Sequence, residues 1–387
     1  MFMDSTDLKR EIINRITKVG PITFADFMDM ALYHHEYGYY TSKKERIGRK
    51  GDYYTSSDVH PLFGQLIARQ LEQMWRILGM GIFTVVEMGA GKGLLCYDIM
   101  TFTKRCFPGF FEKLEYKIVE ISKDHVEKHF NLLKEFVSKI SWESFSADGF
   151  SFEPVAGCFL SNEFVDSLPV HRLIVEDGRL KEIYANHEEG EFCEIVGELS
   201  CSELEDYFKE LPVKLKEGQK VEVNLRAADW IRNVSRNLNR GFVITIDYGY
   251  LASDLYPEDN FKGTLMCYHR HSTNENPFVR VGDQDITSHV NFSSLMNDGN
   301  RSGLCTTGFT KQSHFLIALG VLGSMNESHK DIRKLLEIKN LILPGGMGDV
   351  FKVLIQHKGI HSPELNGLRV ISEPGLIREI KSLENRE

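Results

Sequence analysis

The sequence has few of the features that mark a secreted or membrane-inserted protein. Its seven cysteines contain no CxxC pair, so we expect neither a disulfide framework nor a zinc knuckle. The longest nearly apolar run, residues 315–323, is far shorter than the roughly 20 residues that a bilayer span requires. The first turns of the chain are acidic and lack the apolar core of a leader peptide. These absences predict reduced thiols, no membrane span and a cytoplasmic location.

Positive charge is also scarce. Lys and Arg total 46 against 55 for Asp and Glu, and the formal charge of -9 provides no overall basic field for nucleic acid. The histidines show no HExxH or other metal-ligand spacing, so we predict no metal site. His269 and His271 are interpreted as polar lining of a site in preference to a metal pair. A GxSxG nucleophile elbow is missing, which argues against an α/β-hydrolase.

Residues 1–80 are predicted to form a helical region on the substrate side. Apolar residues recur at helical spacing from Asp7 to Val19 and again from Phe24 to Tyr33. Residues 34–64 are then dense in Tyr, Gly, Lys and Arg. Two interpretations of this tract stay open, a surface that binds a ligand and a mobile loop above packed tyrosines.

The middle of the chain has the alternation of an α/β fold. A β-branched run at 83–86 passes through glycines into a helical pattern, which is how a doubly wound sheet begins. An Asp-Gly turn between alternating segments predicts a β-hairpin insertion near 171–215. We predict a Rossmann-like core over 81–250, and a long loop followed by strands and helices that complete the sheet over 251–387. Further strands are predicted at 116–122, 141–147, 157–161, 241–250, 303–310 and 351–357.

The glycine turn after the first core strand indicates the cofactor. The order acid-x-Gly-x-Gly-x-Gly fails the dinucleotide fingerprint because Leu94 replaces a small residue, and it fails the P-loop because Gly93 follows Lys92. Glycines admit a ligand close to the backbone, Glu87 can meet an ammonium, and Glu120 can bond ribose hydroxyls. This set matches S-adenosylmethionine, with Asp148 as an acceptor for adenine. A tight turn formed only for packing is the alternative.

A second acidic segment follows the fourth predicted strand. Asn162, Glu163 and Asp166 come directly after an apolar run, at the sheet edge where open α/β folds place their chemistry. Paired carboxylates can bind the donor fork of a guanidinium and orient one nitrogen toward a methyl donor. The alternative is that these residues only cap the next helix.

These segments together resemble the MidA-type class I methyltransferases. The resemblance runs through EMGAGKG, SNEFVDSLPVHR, IDYGY, GTLMCYHRH and DITSHVNF to PGGMGDVFKVL, and covers nearly the whole chain. It implies a Rossmann-like class I fold with an N-terminal helical region and insertions. The implied cofactor-binding residues are Glu87, Gly89, Ala90, Gly91, Gly93, Glu120, Ile121, Asp148, Gly149 and Asn162. The implied catalytic residues are Asn162, Glu163, Asp166, Asp247 and Tyr248.

The resemblance also implies a function and shows where this chain departs from the pattern. It implies methyl transfer from S-adenosylmethionine to arginine on a protein partner. A subunit of a respiratory complex is the partner that it suggests, since a mitochondrial relative supports assembly of complex I. The N-terminal helices and residues 251–291 would form the substrate-side wall. Two alternatives stay open: a small-molecule N- or O-methyltransferase, and a cofactor-binding assembly factor without turnover. The departures are Ser57, Ala90, Lys92 and Asn291.

Overall fold

A central mixed sheet organises the protein. The computed structural model describes residues 5–42, 46, 52, 55–145, 149–327, 332–343 and 346–370. The strands of this sheet are β1 Phe83–Met88, β2 Leu114–Val119, β3 Ile140–Glu143, β4 Val155–Asn162, β5 Leu238–Tyr250, β6 Cys305–Lys311 and β7 Phe351–Lys358. Their order is β3-β2-β1-β4-β5-β7-β6, in which β7 is antiparallel to both neighbours and the first five strands are parallel. The α/β class expected from the sequence is therefore confirmed.

Helices cover both faces of this sheet, as the parallel crossovers require. The helix after β2 ends at Leu132, where Leu133 closes it and a 3₁₀ turn over Lys134–Lys139 follows. The predicted third strand is also shorter than 141–147. The helices are α1 Ser5–Val19, α2 Phe24–Tyr33, α3 Ser56–Val59, α4 Leu62–Ile77, α5 Leu94–Cys106, α6 Pro108–Lys113, α7 Lys123–Leu132, α8 Ser202–Lys209, α9 Leu225–Asn237, α10 Ala252–Leu255, α11 Phe292–Arg301, α12 Gln312–Ala318, α13 Val321–Glu327, α14 Ile332–Ile342 and α15 Met347–Val350.

The insertion after β4 forms a separate antiparallel sheet. The predicted hairpin is present, with Asp177 and Gly178 in the left-handed region at φ 51° and 68°. Such a two-residue turn matches the twist of the flanking strands. A short N-terminal strand joins this sheet and thereby attaches the N-terminal helices to the insertion. Its strands are Ile22–Thr23, His171–Glu176, Arg179–Glu188, Glu191–Gly197 and Lys220–Val223.

Residues 251–291 are more ordered than the long loop predicted from the sequence. They contain a three-stranded antiparallel sheet, and Val290–Asn291 pairs in parallel with the end of β5. Strands of three or four residues are too short to show a period-two pattern, so no sequence pattern predicts them. The three strands are Met266–His269, Ser272–Asn274 and Asp285–Thr287.

Apolar clusters lie on both faces of the central sheet. One cluster joins α4, α5 and α12 to the sheet, and the other packs α9 and α11 against the opposite face. A third cluster packs α1 and α2 against the insertion and the three-stranded sheet. Burying each large side chain contributes roughly 1.5–3 kcal/mol. The carboxyl ends of β1, β2 and β4 are thus held at one rigid edge.

Candidate active site

A cavity of about 700 Å³ lies at the carboxyl edge of the central sheet. Its volume is within the usual range for small-molecule sites. We call the glycine turn after β1 and the loop after β2 one end of its lining. The other end comprises the loop after β4, α2, the start of α3 and one face of α9. Among the residues that line it are Asp29, Tyr33, Asp58, Glu87, Gly89, Ala90, Gly91, Lys92, Glu120, Ile121, Gly149, Asn162, Glu163, Phe164, Ser167, Arg226 and Trp230.

The glycine turn needs glycine for its backbone conformation. Gly89, Gly91 and Gly93 have φ of 63°, 53° and 79°, in the left-handed region that side chains disfavour. A Cβ at Gly89 would lie 2.9 Å from Phe164 Cδ2, and one at Gly93 would lie 2.8 Å from His129 Cδ2. The turn therefore packs closely between Phe164, which follows β4, and His129 of α7. Its backbone at Gly89 and Gly91 lines the cavity.

Two carboxylates flank this turn. Tyr116 Oη donates to Glu87 Oε2 at 2.6 Å, and burial raises the pKa of Glu87 to about 7. Glu120 Oε1 accepts from the Ser122 amide at 2.9 Å, and its Oε2 accepts from the Gly91 amide at 3.3 Å. Glu120 is thus fixed beside the turn, where the sequence analysis placed an acceptor for ribose hydroxyls.

His129 supports the turn, and the sequence analysis did not identify it. Its Nε2 lies 2.8 Å from the Gly91 carbonyl oxygen, and the Trp142 indole donates to its Nδ1 at 3.3 Å. Because Nδ1 accepts, the proton of the neutral ring belongs on Nε2, which donates to Gly91. Burial lowers the pKa of His129. Its place on the buried face of α7 is the only sequence signal, and many core histidines share it.

Glu163 lines the other end of the cavity. It follows the last residue of β4 with φ 53°, which is uncommon for a residue with a side chain. Oε1 accepts from the Ser56 amide at 2.8 Å and from Asn162 Nδ2 at 3.1 Å. Within the described part of the chain, no donor is bonded to Oε2. Burial, followed by the negative charges of Asp166 and Asp58, raises the pKa of Glu163 to about 8, although the two hydrogen bonds oppose that shift.

Three of the predicted catalytic residues do not line the cavity and lie behind Glu163. They are Asp166, Asp247 and Tyr248. Asp247 is fully buried, and its Oδ2 accepts the amides of Phe164, Val165 and Asp166 at 2.9–3.3 Å. Burial raises the pKa of Asp247 while these amides lower it. Tyr248 Oη donates to Asp166 Oδ2, and Asp166 Oδ1 has no partner among the described residues. The three side chains fix the backbone that follows β4.

The N-terminal helices form one wall of the cavity. Asp29 and Tyr33 reach it from α2, and Tyr33 Oη lies 2.9 Å from Ser167 Oγ. Tyr40 also lines the cavity and donates to Asp285 Oδ1 at 2.7 Å. Asp285 lies on the three-stranded sheet, so that sheet supports the wall from behind.

Some predicted site residues are not brought to the cavity. None of its described lining residues comes from 251–291, in contrast to the expected wall. His269 and His271 are also absent from the lining, and His269 Nδ1 bonds to the Asp283 carbonyl at 2.9 Å. Asp148 lies outside the described residues. Over those residues, no group of three or more His, Cys, Asp or Glu side chains is arranged to hold a metal ion.

The arrangement suits a ligand that combines a carboxylate, an ammonium and a ribose. Positive-φ glycines allow close approach to the turn, its amides favour a carboxylate, and Glu120 offers acceptors beside it. Glu87 adds negative charge at the end of β1. These are the groups that S-adenosylmethionine requires, and the donor set of this end of the cavity is compatible with it.

Comparison with known proteins identifies the family. Residues 66–310, more than half of the chain, match the model of a family described as "Putative S-adenosyl-L-methionine-dependent methyltransferase". The chain belongs to this family. It is a methyltransferase that uses S-adenosylmethionine, as the resemblance implied.

Individual relatives are similar over nearly the whole chain. The human protein arginine methyltransferase NDUFAF7, mitochondrial, is 28% identical over 91% of this chain and 84% of that protein. The Drosophila melanogaster homolog is 25% identical over 94% and 88%. A crystal structure from Burkholderia thailandensis, bound to S-adenosyl-homocysteine, is 28% identical with a TM-score of 0.85 and covers 94% of both chains. The predicted class I fold and the predicted cofactor are confirmed.

The predicted cytoplasmic location is wrong by the same comparison. The human, bovine and Drosophila melanogaster relatives are mitochondrial proteins. The prediction depended on reduced thiols and on the lack of a recognisable leader or membrane span. Reduced thiols are a property of more than one compartment, and these absences do not choose between them. Among the described residues, no helix is both long and apolar enough to cross a bilayer.

Proposed function

We propose that this chain transfers the methyl group of S-adenosylmethionine to an arginine side chain of a protein partner. The observation that carries the proposal is Glu163, a partly buried carboxylate that lines the same cavity as the glycine turn and keeps Oε2 available. A guanidinium presents a planar fork of donors that matches a carboxylate. The relatives that are named protein arginine methyltransferases support this choice.

The charges around Glu163 favour a cationic substrate. Asp166 and Asp58 add negative charge near it and, after burial, help to raise its pKa to about 8. A guanidinium beside Oε2 would favour the ionised form of Glu163, so substrate binding and ionisation reinforce each other. A neutral substrate would gain nothing from this arrangement.

Each part of the cavity then has a distinct task. Bound S-adenosylmethionine supplies the methyl group, and Glu87, the turn from Gly89 to Gly93 and Glu120 would hold it. Glu163, fixed by Asn162 and Ser56, would orient the guanidinium, since alignment matters more than acid-base strength in a displacement of this kind. The region 1–80 would form the substrate side through α2. A respiratory-complex subunit is the partner that the resemblance suggests.

Replacing Glu163 by glutamine tests the proposal. Gln keeps the oxygen that accepts from Ser56 but removes the charge, so turnover should fall roughly ten- to hundredfold. Affinity for S-adenosylhomocysteine should stay within about twofold. Turnover is measured by mass spectrometry of methylated residues, with proteins from cells that lack the gene as substrate, and affinity is measured by calorimetry. Glu182→Gln is the matched control, because Glu182 is fully buried but does not line the cavity.

Stability separates this role from helix capping. The folded pKa of Glu163 is raised, so between about pH 4.5 and 8 the folded state binds more protons than the unfolded state and loses stability as pH rises. Glu163→Gln removes this loss and should raise the unfolding temperature at pH 8. A lower unfolding temperature with normal activity per folded molecule would indicate a cap instead.

The products decide between the remaining alternatives. Methylated lysine, or a methylated metabolite, would exclude protein arginine as the substrate. Normal cofactor binding with no methylated product from any fraction would favour an assembly factor without turnover.

A further inference from the structure

Lys92, in the middle of the glycine turn, makes an ion pair that reaches across the cavity wall. Its Nζ lies 2.7 Å from Asp58 Oδ1 in α3. Asp58 is 7% exposed and Lys92 is 32% exposed, so the pair is mostly shielded from solvent. Exposed pairs contribute little, but shielding strengthens the interaction of two charges. Both residues line the cavity.

Asp58 uses its second oxygen to hold the start of α3. Oδ2 accepts from the Thr55 amide at 3.2 Å and from Thr55 Oγ1 at 2.8 Å, in a capping box. The next amide, that of Ser56, donates to Glu163 Oε1 at 2.8 Å. Ser56 Oγ is anchored below by Gln312 at 3.3 Å. A continuous set of contacts therefore joins the cofactor-binding turn to the carboxylate at the other end of the cavity.

We propose that Lys92 is a positioning residue. Through its ion pair with Asp58, Lys92 connects the cofactor-binding turn to the start of α3, whose Ser56 amide orients Glu163. The positive charge of Lys92 also balances the negative charge of Asp58. The proposal rests on the function proposed above and adds a residue to it. Lys92 acts through Asp58 and does not itself contact the guanidinium.

The charge balance has consequences at both ends of the cavity. The groups that act electrostatically on Glu163 are Asp58, Asp166, Asp247 and Tyr268. Without Lys92, the charge of Asp58 would act on Glu163 unopposed. Without Asp58, the ammonium of Lys92 would face a cavity that must accept the sulfonium cation of S-adenosylmethionine. The two single substitutions should therefore have effects of opposite sign.

The first measurement is the titration of Glu163 in the full chain, followed by carboxyl ¹³C NMR and assigned with Glu163→Gln. Lys92→Met should raise its pKa by roughly half a unit, and Asp58→Asn should lower it by a similar amount. The double variant should return close to wild type. The asparagine side chain can still accept a hydrogen bond from Thr55. The helix cap is therefore retained in Asp58→Asn and in the double variant.

The second measurement is the ratio of affinities for S-adenosylmethionine and S-adenosylhomocysteine, by calorimetry. Only the first carries a positive sulfur, so Asp58→Asn should lower the ratio roughly threefold and Lys92→Met should raise it. Lys92→Arg keeps the charge and should restore wild-type behaviour. Lys128→Met is the matched control, because it breaks an exposed pair with Asp124 on α7.

The outcomes are distinct from those of the proposed function. Equal titration and equal affinity ratios in all variants, or shifts of the same sign in both single variants, would overturn the role of Lys92. Neither measurement needs a protein substrate. A failure of arginine methylation would therefore leave these results interpretable, and a failure here would leave arginine methylation untouched.

Discussion

The two ends of the cavity are built in different ways. The cofactor end is built around one continuous segment, in which three glycines with left-handed backbone follow β1 directly, and Glu120 joins it from the end of β2. The substrate end is assembled from segments far apart in the chain, with Ser56 and Glu163 separated by 107 residues. A local motif can be recognised by its spacing, whereas an assembled site depends on every element that supports it. We therefore expect substitutions at the cofactor end to change binding, and those behind the substrate end to change stability.

The largest expected effect sharpens this contrast at Asp247. In Asp247→Ala, the three backbone amides of residues 164–166 would lose their hydrogen-bond acceptor. The backbone amide of Tyr248 would lose its acceptor as well. Unsatisfied buried donors are costly, so the free energy of unfolding should fall by about 3 kcal/mol or more. Urea unfolding measures this loss, and the exposed Asp229→Ala serves as control. Unchanged stability together with abolished turnover would instead assign Asp247 to the reaction itself and break the comparison.

The next effect belongs to the cofactor end. Gly91 has φ 53°, and a β-branched residue is strained there, so Gly91→Val should weaken S-adenosylhomocysteine binding about a hundredfold. Calorimetry measures the affinity. Gly190→Val is a matched control, since Gly190 has φ 90° and open space around it in a distant hairpin. A folded Gly91→Val protein with normal affinity would show that the turn does not contact the cofactor.

The smallest effect concerns pH. The folded pKa of His129 is lowered, so as pH falls below about 6.5 the unfolded state gains a proton that the folded ring resists, and stability declines. Protonation also puts a hydrogen on Nδ1, where Trp142 donates. We expect cofactor affinity to fall roughly two- to fivefold between pH 7.5 and 5.5, and His129→Gln to remove this dependence. A dependence that persists would show that a group other than His129 causes it.

Much of the fold was predictable from local patterns. The helix expected from Phe24 to Tyr33 is present, and the hairpin turns at Asp177 and Gly178, as expected. The misjudged regions were short or irregular. The 251–291 tract hides three brief strands, and the third core strand spans only Ile140–Glu143. Patterns over so few residues are indistinguishable from loops.

The candidate site was predictable to a different degree at each end. Glu87, Glu120 and the glycines follow strand ends in the sequence, and the structure places Glu87, Gly89, Gly91 and Glu120 around the cavity. Gly93 does not line the cavity and packs against His129 instead. Asn162 and Glu163 are there for the same reason. Asp247 and Tyr248 were grouped with them, yet they lie behind the cavity, because β5 runs beside β4 and turns these side chains toward the backbone of the neighbouring loop.

The sequence by itself determined the class of sheet, the cofactor-binding turn and the positions of the acidic strand ends, because each depends on residues that are neighbours in the chain. Only the tertiary structure decided the left-handed backbone of Glu163, the pair of Lys92 with Asp58 and the support that His129 gives to Gly91. The partners in those last two contacts are 34 and 38 residues apart. Their closeness is set by how helices pack on the sheet, and no local propensity encodes it.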